Sequence, residues 1–275
     1  MQIGKTNELT IARETTVGLF LTDGTSDVLL PRKYQPKVYA VGETLEVFVY
    51  LDHMERPVAT TLKPYVHVNQ FAHLKVNYIN AYGAFLDWGL EKDLFVPFRE
   101  QAQPMETGKR YLVYVFLDEK TNRLVASSRI HRFVKETDVA LEQGQKVNVM
   151  ITHFSDAGVN VIIEHQYRGL AFQNQVFDET LRFGKTYSAY VKQVRPDGKV
   201  DIVFQPMGES LIEAAVQKIL AELHANRGFL GLHDNSHPED IKTVLKMSKK
   251  TFKKAIGQLY KDRRISIEEQ GIFLK

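Results

Sequence analysis

The 275-residue chain contains no cysteine, which excludes disulfides, thiolate metal centres and thiol redox chemistry. No apolar run is long enough to span a bilayer, and the opening MQIGKTNELT lacks the apolar core of a secretion signal. A cytoplasmic location with no membrane partner is the economical expectation. Several enzyme signatures are missing as well. There is no glycine-rich phosphate loop ahead of a helix, no G-x-S-x-G elbow and no pair of histidines at metal spacing on a helix. His233 and His237 sit in the loop around Pro238 without a third ligand nearby, so solvent-exposed loop histidines are expected. The carboxylates are scattered rather than paired. The chain therefore offers no catalytic site, no metal site and no cofactor site. What remains is ordinary for a globular protein, 44% apolar and 25% charged.

The informative feature is a repeat. Tyr82 to Pro97 reads YGAFLDWGLEKDLFVP, two apolar alternations separated by a polar turn, which is hairpin chemistry. An earlier copy, VGLFLTDGTSDVLLP, starts at Val17, and a weaker one, AGVNVIIEHQYRGLAF, at Ala157. Gly83 lies inside the first strand, where glycine marks a bulge or the sharp coiling of a small barrel. A turn glycine follows each copy at Gly42, Gly108 and Gly184, spaced 24, 25 and 26 residues from Gly18, Gly83 and Gly158. A further strand pair follows each turn: LEVFVYLDHMERPVATT, YLVYVFLDEKTNRLVASS and YSAYVKQVRPDGKVDIVF. Three such units are three tandem copies of one five-stranded β domain, and the OB-fold barrel has that strand count and size.

Taken in order, the units occupy residues 1–62, 63–135 and 136–206. Lys63-Pro64 is a linker too short and stiff to leave the first two barrels independent. Arg129 to Leu141, charged and loosely helical in spacing, joins the second to the third, and Pro196-Asp197-Gly198-Lys199 reads as a two-residue hairpin turn. From 207 to 275 the period changes. Leu211, Ala215, Ile219 and Leu223 share one helical face, and Arg227-Gly228 ends that helix. FLGL is a short strand, Pro238 opens a second helix, Ser248 caps a third, and RISIEEQGIFL forms a hairpin. That order is a winged-helix domain. The fold class is thus mainly β with a C-terminal α+β domain: three OB-fold barrels, then a winged helix.

Net charge is only +3 but unevenly placed. The second unit carries 11 cationic against 7 acidic residues and the last segment 12 against 9, while the first and third units are each at −2. A polyanion would meet the second unit and the tail. Lys249, Lys250, Lys253 and Lys254 ride the third helix, at the place of a recognition helix; a solvated helix face is the equal alternative. In the barrels, alternation sends Ala84 and Leu86 to the core and Phe85 outward, where a ring can stack on a base for about 1–3 kcal/mol. The sequence does not decide the place of Trp88.

The second unit resembles the RNA-binding domain first described in ribosomal protein S-one. Tyr82-Gly83-Ala84-Phe85 matches its aromatic pair, and Asp118 and Arg123 its acidic and basic positions; Pro97 stands where the family has histidine. The first unit keeps Phe20, Asp52 and Arg56, with Val17 and Pro31 as departures. In the third, Asn160 replaces the main aromatic, Phe172 fills the histidine position and Lys199 stands for the arginine. The likeness makes Phe95 the counterpart of a buried leucine. The whole order resembles the bacterial conserved virulence factor B family (CvfB). That resemblance implies a cytoplasmic, non-catalytic protein that binds single-stranded RNA and regulates expression of other genes. Duplex DNA read by the winged helix, or an adaptor role towards a ribosome or nuclease, are the alternatives.

Overall fold

The structure, a computed structural model, describes residues 1–119, 121, 123–178 and 180–275, the side chain of Glu209 excepted. It forms two compact units, Met1–Val134 and Lys135–Lys275.

The first unit holds two closed five-stranded barrels. One is built from β1 (Lys5–Glu14), β2 (Gly18–Thr22), β3 (Asp27–Pro31), β4 (Thr44–Leu51) and β5 (Pro57–Thr60). The other comprises β6 (Phe71–Ile79), β7 (Gly83–Asp87), β8 (Leu94–Pro97), β9 (Arg110–Asp118) and β10 (Arg123–Ser127). The second unit opens with a third barrel: β11 (Lys146–Ser155), β12 (Gly158–Ile163), β13 (Tyr167–Phe172), β14 (Thr186–Val194) and β15 (Val200–Val203). In each, the third strand meets the fifth in parallel, at Leu29 with Val58, Phe95 with Val125, and Gly169 with Val200. The other pairings are antiparallel.

The repeated glycines explain how so small a barrel closes. A Cβ on Gly18, Gly83 or Gly158 would lie 2.2, 2.3 or 2.0 Å from the carbonyl oxygen of Leu30, Val96 or Ala171 on the neighbouring strand. Only a residue without a side chain allows that approach. The bulge itself is elsewhere, on the first strand of each barrel. There Ala12, Asn77 or Thr152 is the extra residue between two paired positions. The turn glycines lock that bulge in place. Gly42, Gly108 and Gly184 donate their N–H groups to the carbonyls of Ile11, Val76 and Ile151, each at 2.8 Å. Those are the residues immediately before the bulge, so the regular repeat spacing joins two fixed ends of one closure.

β4 reads as a continuous apolar run because both of its faces are buried. Val47 and Val49 enter the core of the first barrel. Phe48 and Tyr50 join the core of the second, with Val66, Leu74, Leu86 and Trp88. The linker does not separate the two barrels; they share a packed seam.

Three local expectations change. Arg129 to Leu141 forms a single 3-10 turn, Ile130–Arg132, not a helix. The Pro196–Lys199 turn is a three-residue loop in which Arg195 N–H donates to Lys199 O, with Gly198 at φ 77°. Phe95 is not in the core. Its strand buries Leu94 and Val96, leaving Phe95 half-exposed on the outer face.

The winged helix follows the third barrel: α1 (Glu209–Ala225), β16 (Phe229–Leu230), α2 (Pro238–Leu245), α3 (Lys249–Lys261), β17 (Ile265–Glu268) and β18 (Gly271–Leu274), with sheet order β16-β18-β17. Ala215, Ile219 and Leu223 of α1 pack with Phe252, Ile256 and Leu259 of α3 in one core. Ser248 Oγ accepts from Thr251 N–H at 3.1 Å and caps α3. His237 caps α2, and half-buried His233 holds the preceding turn. His237 is exposed, as expected, and His233 is not; both imidazoles hold local structure.

Candidate nucleic-acid interface

The second barrel carries an aromatic ladder on its outer face. β7 and β8 pair Phe85 directly with Phe95, and β6 pairs Tyr78 with Phe85. Residues directly opposite on adjacent strands share a face, so three rings line up across three strands. Tyr78 and Phe85 stack with centroids 4.5 Å apart at 8°, and Phe85 and Phe95 lie 5.0 Å apart at 34°. Tyr82 stands beside them, 75% exposed, and Tyr78 is 48% exposed. Alternation from buried Leu74 and Val76 would place Tyr78 in the core. The bulge at Asn77 turns it outward.

Only the second barrel completes this ladder among the described residues. The same three positions hold Arg13, Phe20 and Leu29 in the first barrel, and His153, Asn160 and Leu170 in the third. Phe20 is covered by the Arg13 guanidinium, 4.3 Å from its centroid. Phe172 has Arg195 at 5.3 Å over its ring.

The ladder faces a cleft of about 560 Å³ at the seam of the first two barrels, within the range of ligand sites. Tyr50, His53, Tyr82, Trp88, Lys92, Asp93 and Arg123 also line it. Trp88 is 3% exposed, its Nε1–H donating to Lys92 O at 2.6 Å. Lys92 Nζ donates to the carbonyls of Leu51 and Asp52, at 3.0 and 2.7 Å, tying the barrels together. Burial lowers the pKa of its ammonium. Burial raises the Asp93 carboxyl, and raises the Tyr78 phenol together with the nearby Asp93 charge.

Of the residues singled out from the sequence, Tyr82, Phe85 and Arg123 meet at this cleft. Arg123 forms an ion pair with Glu55 of the first barrel. Asp118 does not line the cleft; it lies 3.6 Å from Arg99 and accepts from the Thr121 hydroxyl at 2.9 Å. Asp52 and Arg56 hold their own hairpin tip through Arg56 Nη2, at 2.8 Å. Phe172 and Lys199 belong to the third barrel, in the compact unit Lys135–Lys275, where Lys199 pairs with Asp197 at 3.0 Å. On α3, Lys250, Lys253 and Lys254 are exposed and Lys249 half-exposed, and none of the four forms an ion pair among the described residues. In the second barrel Arg99 pairs with Asp118, Lys109 with Glu106 and Arg123 with Glu55. Sequence reasoning missed Tyr78 and misplaced Phe95. The available signal was the residue five positions before each repeat glycine: Arg13, Tyr78 and His153, the first and last of them polar where alternation calls for a core residue.

The S1 domain model matches residues 3–62 and 70–129, and the CvfB-like winged helix domain model matches 217–274. The chain belongs to the conserved virulence factor B family. Curated relatives align along most of the chain. The Bacillus subtilis protein YitL is 27% identical, with 98% of this chain and 93% of that protein covered. Conserved virulence factor B of Staphylococcus saprophyticus is 25% identical over 85% and 80% of the two chains. A Streptococcus pneumoniae crystal structure, described as a multidomain protein with nucleic acid binding domains, is 24% identical and covers 99% and 98% of the two chains, with a TM-score of 0.41. The matched domain families are nucleic-acid-binding domains, not known enzymes, and they support nucleic-acid binding by this chain. No helix among the described residues is long and apolar enough to cross a membrane.

Proposed function

We propose that this CvfB-family chain binds single-stranded RNA on the aromatic ladder of its second barrel and regulates gene expression after transcription. The observation that carries the reading is the three-ring row of Tyr78, Phe85 and Phe95 beside exposed Tyr82. Unpaired bases are accessible on both faces and stack on such rings, whereas a duplex hides its base faces inside the helix. The division of labour is uneven. Stacking comes from the second barrel, whose Arg99, Lys109 and Arg123 are ion-paired, and charge from α3, whose four lysines form no ion pair among the described residues. Phe20 and Phe172, each under a guanidinium, are weaker platforms. The test is a titration with single-stranded RNA, single-stranded DNA and duplex DNA at two salt concentrations. RNA is expected to bind tightest, with an affinity that falls as salt rises. Tighter binding of duplex DNA at near-physiological salt would transfer the function to the winged helix.

A further inference from the structure

The three barrels differ at one more position, and the difference bears on which base the ladder accepts. Pairing of the second strand with the third aligns Asp27, Asp93 and Arg168, each immediately before a matching apolar residue: Val28, Leu94 and Gly169. In the first barrel Asp27 is neutralised by Arg13, the residue that also covers Phe20. In the second barrel Tyr78 occupies the Arg13 position. The same replacement that completes the ladder therefore leaves Asp93 with no ion-pair partner among the described residues. In the third barrel the position carries the opposite charge.

Asp93 is two residues from Phe95 and lines the same cleft as Tyr78, Phe85 and Phe95. Asn77, the bulge residue, holds it in place: its Nδ2 donates to Asp93 Oδ1 at 2.9 Å. The other carboxylates of the cleft are occupied, Glu55 by Arg123 and Glu91 by Lys33. A fixed carboxylate at the edge of a stacking platform repels phosphate and accepts hydrogen bonds from amino groups.

We propose that Asp93 reads the edge of a base stacked on the ladder and selects bases that present an exocyclic amino donor over uracil. This rests on the RNA-binding reading above and deepens it. Cytosine and uracil make the cleanest comparison, because both are single-ring pyrimidines that differ in the amino group opposite the carboxylate. Cytosine N4 donates there; uracil O4 can only accept. One well-placed contact of this kind discriminates by about 1–3 kcal/mol, or roughly 5- to 150-fold in affinity.

The experiment measures binding of the full chain to oligocytidylate and oligouridylate of equal length, for the wild type, Asp93→Asn and Asn77→Ala. The wild type is expected to favour oligocytidylate within that range. Asp93→Asn, which can both donate and accept, is expected to bring the ratio close to one, with binding of oligouridylate kept or improved. Its melting temperature should not fall, because a desolvated charge is removed. Asn77→Ala, which frees Asp93 to turn, is expected to lower the ratio without abolishing it. Equal wild-type affinities overturn the assignment while leaving RNA binding intact. So does a preference that survives Asp93→Asn, or an equal loss on both oligonucleotides. Failure of the wild type to bind either one overturns the RNA reading itself.

Discussion

Phe85 is neither a free surface ring nor a core residue. Its neighbours Ala84 and Leu86 are fully buried, while its own ring lies between Tyr78 and Phe95 on the outer wall. Phe85→Leu keeps apolar bulk there and removes the ring. RNA affinity is expected to fall by about 1–3 kcal/mol, and stability by about 1–2 kcal/mol from the lost ring contacts. Leu86→Ala is the opposite case. It should cost about 2–5 kcal/mol of stability and leave the affinity of the folded fraction unchanged. Asn160, at the corresponding place in the third barrel, has no ring, so Asn160→Ala should leave affinity nearly untouched. Binding isotherms beside denaturant titrations separate the three. A large loss at Asn160 with little at Phe85 would place the RNA on another barrel.

α3 shows how an element can be built for one face and left unused on the other. Thr251, Phe252, Ala255, Ile256 and Leu259 are buried, while Lys250, Lys253 and Lys254 point to solvent. The Ser248 cap and the amphipathic spacing suffice to form the helix; the lysines contribute nothing to its packing. Replacing Lys249, Lys250, Lys253 and Lys254 by glutamine should therefore leave the melting temperature almost unchanged. If each contacts phosphate, the slope of log affinity against log salt should flatten by about 0.7 per lysine for a single strand. An unaltered slope would assign this face to contacts other than nucleic acid.

At the scale of the molecule, the first two barrels are mechanically one object. Phe48 belongs by sequence to the first barrel, yet it is buried in the core of the second and meets Trp88 edge-on at 5.7 Å. Phe48→Ala is expected to cost about 3–5 kcal/mol and to raise amide exchange in both barrels together. Faster exchange confined to β1–β5 would mean that the barrels unfold independently. The seam also carries function. The cleft is walled by Tyr50, His53 and Glu55 of one barrel and by the ladder of the other, so a seam that loosens should weaken binding as well as stability.

Alternation, glycine spacing and cap residues lie within a few positions of one another along the chain, and for that reason the sequence alone determined the three barrels, the winged helix and the inward course of Ala84 and Leu86. Their physics is local: period two for strands, a missing Cβ for close approach, a serine oxygen for orphan N–H groups. What the tertiary structure decided is where that local rule is broken or doubled. One inserted residue, Asn77, reverses the facing of Tyr78, and the letters of the second unit alone do not announce the insertion; only the polar Arg13 and His153 at the same place in the other two units do. Phe95 left the core because cross-strand register, not its hydrophobicity, sets its side. β4 buries both faces because a second barrel docks on it, and the cleft exists only once that docking has occurred. Among the described residues Asp93 has no ion-pair partner because Tyr78, fifteen residues away in sequence, stands where the first barrel has Arg13. These are relations between strands that meet only when the barrel closes.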